Sequence, residues 1–275
     1  MKSLLTRLAF FTSLLALTVL PADADAGPWT KSTGEYYVKV GQSFYRATEF
    51  RTAGGVLLSG RDYVSSTSYV YGEVGVWRRL HLQAYVPLMY SRVSVGPLSE
   101  SDFGPGDALV SVQHSPLELP FPTSLRLEAR VPLYGEPATP QTPARGDGQF
   151  DFALWLSAGG GLTSIPLYFY VDLGYQHRTS LTVGNRVVPE FSDGLLTLAQ
   201  VGYNVADTFI VALTTSGVMP FTDDAVSEGY LTVGPSVFWP VTDLLALEVD
   251  GYLTPYARNS AHGWALGFGV SFRGE

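Results

Sequence analysis

Few residues in this 275-residue chain have the type and spacing that chemistry needs. It has four histidines and no cysteine. Without cysteine there is no thiolate nucleophile, iron–sulfur cluster or disulfide framework. His81, His114, His177 and His262 are scattered, lacking the short spacing that sets imidazoles on one metal ion, so no metal site is expected. Ser260-Ala261-His262 puts a hydroxyl near an imidazole. A nucleophile also needs a third group to orient its base, and none is evident, so no catalytic residue is assigned. Gly104-Pro105-Gly106-Asp107 has neither a ligand cluster nor a following helix start, and reads as the glycine-rich start of a strand. No Lys-Ser or Lys-Thr follows Gly159-Gly160-Gly161, which reads as a turn. No cofactor is expected.

The remaining candidates are charges placed at alternate positions. Lys39, Glu73, Arg126, Glu128, Arg130, Asp151, Asp172, Glu248 and Asp250 fall on the parity opposite the large apolar residues of the same segments. Successive side chains of a strand point to opposite faces, so these charges share one side. Two roles suit them. Arg126, Glu128 and Arg130 form a cross-strand network with Asp151, Asp172, Glu248 or Asp250 that is structural, or the charges line a constriction whose field selects permeants.

The elements that position these charges have a period of two. Trp264, Leu266, Phe268, Val270 and Phe272 alternate with Ala265, Gly267, Gly269 and Ser271, and Leu125, Leu127, Ala129 and Val131 alternate with Arg126, Glu128 and Arg130. The small residues leave space on their face or let a neighbour approach closely. About twelve such segments of roughly ten residues recur. They lie near 35–46, 69–78, 81–91, 106–115, 123–133, 149–159, 167–177, 193–203, 208–219, 228–238, 243–253 and 263–272. Connections alternate between short, as at Arg78-Arg79-Leu80, and long, as at Ala47 to Ser68, Arg92 to Pro105, Tyr134 to Gly148, Arg178 to Ser192 and Thr254 to His262. Pro87, Pro132 and Pro235 are expected at strand ends or bulges.

Lys2 and Arg7, an apolar run from Leu8 to Leu20 and Ala24-Asp25-Ala26 read as a signal peptide, residues 1–26, cleaved after Ala26. No later stretch is long and apolar enough for a membrane helix, so a membrane form must be a barrel. The chain is 46% hydrophobic, 15% charged and 13% aromatic. A disordered chain has the reverse balance, and a net charge of −8 argues against a nucleic-acid partner. Tyr36, Tyr90, Trp264 and Phe272 lie near strand ends, where rings form girdles at a membrane interface. The expected fold is all-β, a transmembrane antiparallel β-barrel of about twelve strands over 27–275. An even count puts both termini on the periplasmic side.

Two stretches also resemble a known family. Gly104-Pro105-Gly106-Asp107, the strand after it and the unit ending Leu127-Glu128-Ala129-Arg130-Val131-Pro132-Leu133-Tyr134-Gly135 are similar to a G-x-G-D strand-turn-strand unit closing with P-x-G. Gly146-Asp147-Gly148-Gln149-Phe150-Asp151 is similar to the start of that family's next strand. The family is one of bacterial outer-membrane barrel transporters labelled meta-pathway of phenol degradation. The resemblance implies passive uptake of small molecules, hydrophobic or aromatic ones among them. One departure is that Arg273-Gly274-Glu275 follows Phe272, where such barrels commonly end on an aromatic residue, and it reads as a short extension. The expected function is thus a porin-like outer-membrane channel, with outer-membrane lipid, a small-molecule permeant and the assembly machinery as partners. The alternatives are a barrel enzyme acting on lipid through His262, or a structural or adhesive barrel with a closed lumen.

Overall fold

The computed structural model describes residues 27–275 except 118, 135–142, 144, 163, 184–189, 207 and 225. The expected signal peptide lies outside the described residues. The alternating segments form β1 (Tyr36–Arg51), β2 (Leu57–Trp77), β3 (Leu80–Val95), β4 (Leu98–Pro105), β5 (Asp107–His114), β6 (Thr123–Pro132), β7 (Gln149–Leu162), β8 (Leu167–Thr182), β9 (Gly194–Val205), β10 (Phe209–Pro220), β11 (Gly229–Pro240), β12 (Leu245–Arg258) and β13 (Ser260–Gly274). Each is antiparallel to its neighbours. β4 and β5 both pair with β3 and make two halves of one stave, and β1 pairs with both β2 and β13. The result is a closed antiparallel barrel of twelve staves. Closure pairs β1 with β13 and leaves no open edge in the ring itself, while β4, paired with β3 alone, projects beyond it.

The stave in two halves explains one proline. Leu88 pairs with Pro105 and Tyr85 with Leu109, so three residues, 106–108, oppose Val86 and Pro87 alone. Pro87 has no N–H to give a ladder, and the bulge falls beside it, with the Gly106 N–H donating to Pro87 O at 3.2 Å. Pro132 ends β6. Pro235 stays inside β11, paired with Leu213, but the β11–β12 ladder has no pair between Val233 and Ser236.

The faces are inverted relative to a soluble protein. Outward positions are large, apolar and exposed, with Leu156 53% and Val40 52% accessible, whereas Gln113, Ser157, Asp151 and Asp172 are buried inside. A soluble sandwich buries its apolar parity; this chain presents it, as lipid contact requires. Leu154, mid-β7, stands in that band between Leu127 and Tyr175. Leu154→Arg is expected to cost ~2–4 kcal/mol in reversible unfolding in lipid or detergent. A cost near zero would mean this face does not meet hydrocarbon.

Four connection readings change. Ala47 to Ser68, Arg92 to Pro105 and Thr254 to His262 are largely projecting hairpins, with only residues 52–56, 96–97 and Asn259 between strands. Beyond the apolar band both faces meet water, so the alternation disappears while the ladder continues. Gly159-Gly160-Gly161 is strand, not a turn, facing Tyr170, Phe169 and Tyr168 of β8. A Cβ at Gly159 would stand 2.7 Å from Tyr170 Cβ and 3.0 Å from Pro28 Cγ, so this glycine marks close packing. Arg273 and Gly274 continue β13, opposite Tyr37 and Tyr36, rather than trailing from it.

Candidate functional site

The inward parity of the staves makes a lumen of tyrosines, hydroxyls and charges. Where the small residues of β13 face inward, side chains from neighbouring staves lie across them. A Cβ at Gly269 would come within 2.4 Å of Lys39 Cε, and one at Gly267 within 2.6 Å of the Asp250 carboxylate. Lys39 Nζ lies 2.6 Å from Glu248 Oε2 and 4.0 Å from Asp250 Oδ2. Tyr37 donates its hydroxyl proton to Glu248, and Tyr71 donates to Glu73. These groups border a cavity of about 500 Å³. A second, of about 720 Å³, shares Ser43 and Tyr85 with it and continues toward the long-loop end past Tyr45, Tyr63 and Tyr252. A tyrosine wall offers aromatic faces and hydroxyl rims together. The inward tyrosines follow the same alternation as the charges and carry no charge of their own to mark them.

All the charges expected on one side do face inward, but not as one network. Arg126 pairs with Glu128 at 3.7 Å along its own strand, and its guanidinium lies 4.7 Å from the Trp155 ring centroid. Asp172 stands beside Ser157 on the neighbouring stave. Glu73 faces Lys31 at 3.6 Å. Arg130 reaches Asp147 at 3.5 Å, while Asp151 takes Arg178 at 3.0 Å. Glu248 and Asp250 meet Lys39, not the arginines of β6. Lys31, Asp147 and Arg178 carry site contacts that strand parity did not single out.

Asp147 belongs to the second glycine motif, and the two motifs interlock. Its N–H donates to Asp107 Oδ2 at 3.0 Å. Arg145 Nε donates to Asp102 Oδ2 at 2.7 Å and Nη1 donates to Pro105 O at 3.1 Å. A Cβ at Gly146 would sit 2.3 Å from Asp107 Oδ2 and one at Gly104 2.0 Å from Arg145 Nη1. The glycines are there because carboxylate and guanidinium occupy the space of a side chain. The result is a clasp where β4 runs into β5, at the long-loop end of β5, β6 and β7. Nearby on that rim, in 221–228, slight burial raises the Asp224 carboxyl, but the Ser227 hydroxyl and the Ser227 and Val226 amides outweigh it and hold the group far below the usual carboxylate range.

The opposite end holds a feature that strand alternation does not reveal. Residues 27–35 run across the lumen from the start of β1. Gly34 donates to Gly75 O at 2.9 Å and Gly75 donates back to Glu35 O at 2.8 Å. The Lys31 N–H donates to His81 Nδ1 at 3.1 Å, and Gln113 Nε2 donates to Gly27 O at 2.8 Å. Trp29 stands edge-on to Tyr168 and Tyr170 with centroids 6.1 and 6.0 Å away, and Pro28 is fully buried. The strap therefore reaches β7 and β8, halfway round the ring from its root.

Ser260 and His262 do not form a nucleophile–base pair. Ser260 Oγ donates to Glu228 Oε2 at 3.5 Å; His262 Nδ1 lies 3.1 Å from Thr254 O, and its Nε2 faces Arg51 Nε at 3.3 Å. With Nδ1–H on the carbonyl, the basic nitrogen is already taken by the guanidinium.

Comparison with solved structures places this geometry among outer-membrane barrels. An outer membrane channel from Pseudomonas putida F1 superposes with a TM-score of 0.67 over 92% of this chain and 100% of that one, at 12% identity. The translocator domain of the autotransporter NalP from Neisseria meningitidis gives 0.56 over 89% and 90%, also at 12% identity. The fold is that of an outer-membrane barrel. No family model matches the chain, and no curated protein matches it. The likeness is one of architecture, and the phenol-pathway label gains nothing from it.

Proposed function

We propose that the protein is an outer-membrane channel admitting small molecules, aromatic ones included, by passive diffusion. The observation that carries this reading is a pair of adjoining tyrosine-lined cavities inside a barrel whose outer face is apolar. A polar interior behind a lipid-facing wall is the arrangement of porins. The short turns, the start of β1 and the end of β13 then face the periplasm, and the clasp faces outside. On this reading the exported chain loses residues 1–26 and starts at Gly27, so the mature amino terminus begins inside the lumen. Phe272 faces outward on the last strand, within reach of the assembly machinery. The phenol-pathway resemblance points the same way, toward uptake of hydrophobic or aromatic molecules. The lipid-enzyme alternative is disfavoured by the occupied nitrogens of His262.

Liposome swelling and planar-bilayer conductance on refolded protein test the channel. Uptake of small uncharged solutes is expected, faster once the strap is removed; a barrel impermeable in both forms would overturn it. The inward arginines give a finer prediction. Arg126→Gln with Arg130→Gln leaves Glu128 and Asp147 without these partners, so the reversal potential in a salt gradient should move toward cation selectivity. No movement would place both arginines off the permeation path.

A further inference from the structure

The mid-barrel cavity of about 500 Å³ has an uneven chemistry. Tyr37, Tyr69, Tyr71 and Tyr85 wall it, and Glu73, Glu248 and Asp250 lie along it with Lys39 as the cation among its lining residues. Lys39 shows what such a wall holds. Its ammonium sits 5.8 Å from the centroid of the Tyr69 ring while pairing with Glu248 at 2.6 Å and reaching Asp250 at 4.0 Å. The strap repeats the arrangement, with Lys31 Nζ 5.6 Å from the Tyr37 centroid and 3.6 Å from Glu73 Oε2. A ring face beside a carboxylate is how ammonium groups are recognised, and partial withdrawal from water strengthens both attractions. Two of the chain's own ammonium groups thus take up this chemistry, yet space remains beside them. Lys39 faces two carboxylates, leaving Asp250 a distant partner with 39% of its side chain accessible.

We propose that this chamber binds organic cations, an ammonium group on a compact aromatic or alkyl body. The Lys39 ammonium holds the ligand's place and swings aside when a ligand cation enters between Tyr69, Glu248 and Asp250. The inference names a class of permeant for the proposed channel and rests on that reading only for the ligand's route in.

The experiment is isothermal titration of the folded barrel in a nonionic detergent with benzyltrimethylammonium, with benzyl alcohol and benzenesulfonate as neutral and anionic counterparts of similar size. The cation is expected to bind and the counterparts to bind about tenfold more weakly or not at all. Lys39→Met vacates the ammonium position and should tighten cation binding about tenfold, whereas Asp250→Asn should weaken it by a similar factor. A lysine that only balanced charge within the wall would show no such gain. Equal affinity for all three probes, or weaker cation binding in Lys39→Met, overturns the proposal. Heat-modifiable migration on a gel reports folding of each variant; if Lys39→Met does not fold, Asp250→Asn decides, and unchanged affinity there is the overturning result. Binding is read without any flux, so an impermeable barrel that binds the cation sinks the channel and leaves the site. A permeable barrel blind to charge does the reverse.

Discussion

A variant lacking residues 28–33 is expected to conduct several-fold more than the intact protein in planar bilayers. The strap crosses half the ring and is pinned at three kinds of contact: backbone pairing with Gly75, hydrogen bonds from Lys31 and to Gly27 O, and Trp29 against two tyrosines. Each hydrogen bond is worth ~0.5–1.5 kcal/mol net, and each aromatic contact ~0.5–1.5 kcal/mol beyond its buried area. That sum holds the strap in place most of the time without fixing it irreversibly. Trp29→Ala alone should therefore raise the frequency of openings, and the deletion should abolish closed intervals. The deletion keeps Gly27 next to the expected cleavage point and leaves every ladder of the barrel intact. Conductance unchanged by the deletion would mean that the barrier to permeation lies elsewhere.

Gly146→Ala should open the clasp at the other end. Its methyl would occupy a point 2.3 Å from Asp107 Oδ2, so either the carboxylate or the 145–148 backbone moves. Moving it breaks the Asp147 N–H bond to Asp107 and pulls Asp147 from Arg130 and Arg178, which it meets at 3.5 and 2.6 Å. Overpacking and a lost charged hydrogen bond together suggest ~2–3 kcal/mol of destabilisation, discounted for the partial exposure of Asp147. The unfolding free energy should fall by that amount and the midpoint with it. Trypsin should begin to cut after Arg145, whose side chain is only 13% accessible while it holds Asp102. A variant with an unaltered midpoint and an uncut loop would show that the two motifs do not depend on each other.

The contrast between these two ends explains what was legible. The centre of every stave was readable because lipid on one side and a polar lumen on the other impose a period of two, and the same period turned Lys39, Glu73, Asp151 and Asp250 inward. Hairpins such as 92–105 were hidden because water on both faces imposes no period. The clasp was half visible. Gly104 and Gly146 marked unusual packing, but which carboxylate each glycine admits depends on β4 and β7 being brought together. The strap was invisible because its partners, Gln113, His81 and Tyr170, come from three staves that are far apart in the chain. Gly159 carried its one trace, and three glycines in a row read equally well as a turn. The exchange of partners among the charges has a similar cause: register places Lys39 across β13 from Asp250, and parity alone does not count staves.

The root of the strap lies on the stave that shuts the barrel. β1 meets β13 only when the two ends of the chain come together, and Tyr36 opposite Gly274 is part of that seam. The inner wall that receives Trp29 and Pro28 is formed by β7 and β8 on the far side, and it acquires a concave face only as the sheet curls. Seating the strap and sealing the seam therefore both depend on the same curling of the sheet. A half-built barrel is an open sheet with no bore, and once the bore exists the strap is already tethered at its rim. On the proposed channel reading, insertion would then pass through no stage with an unguarded bore.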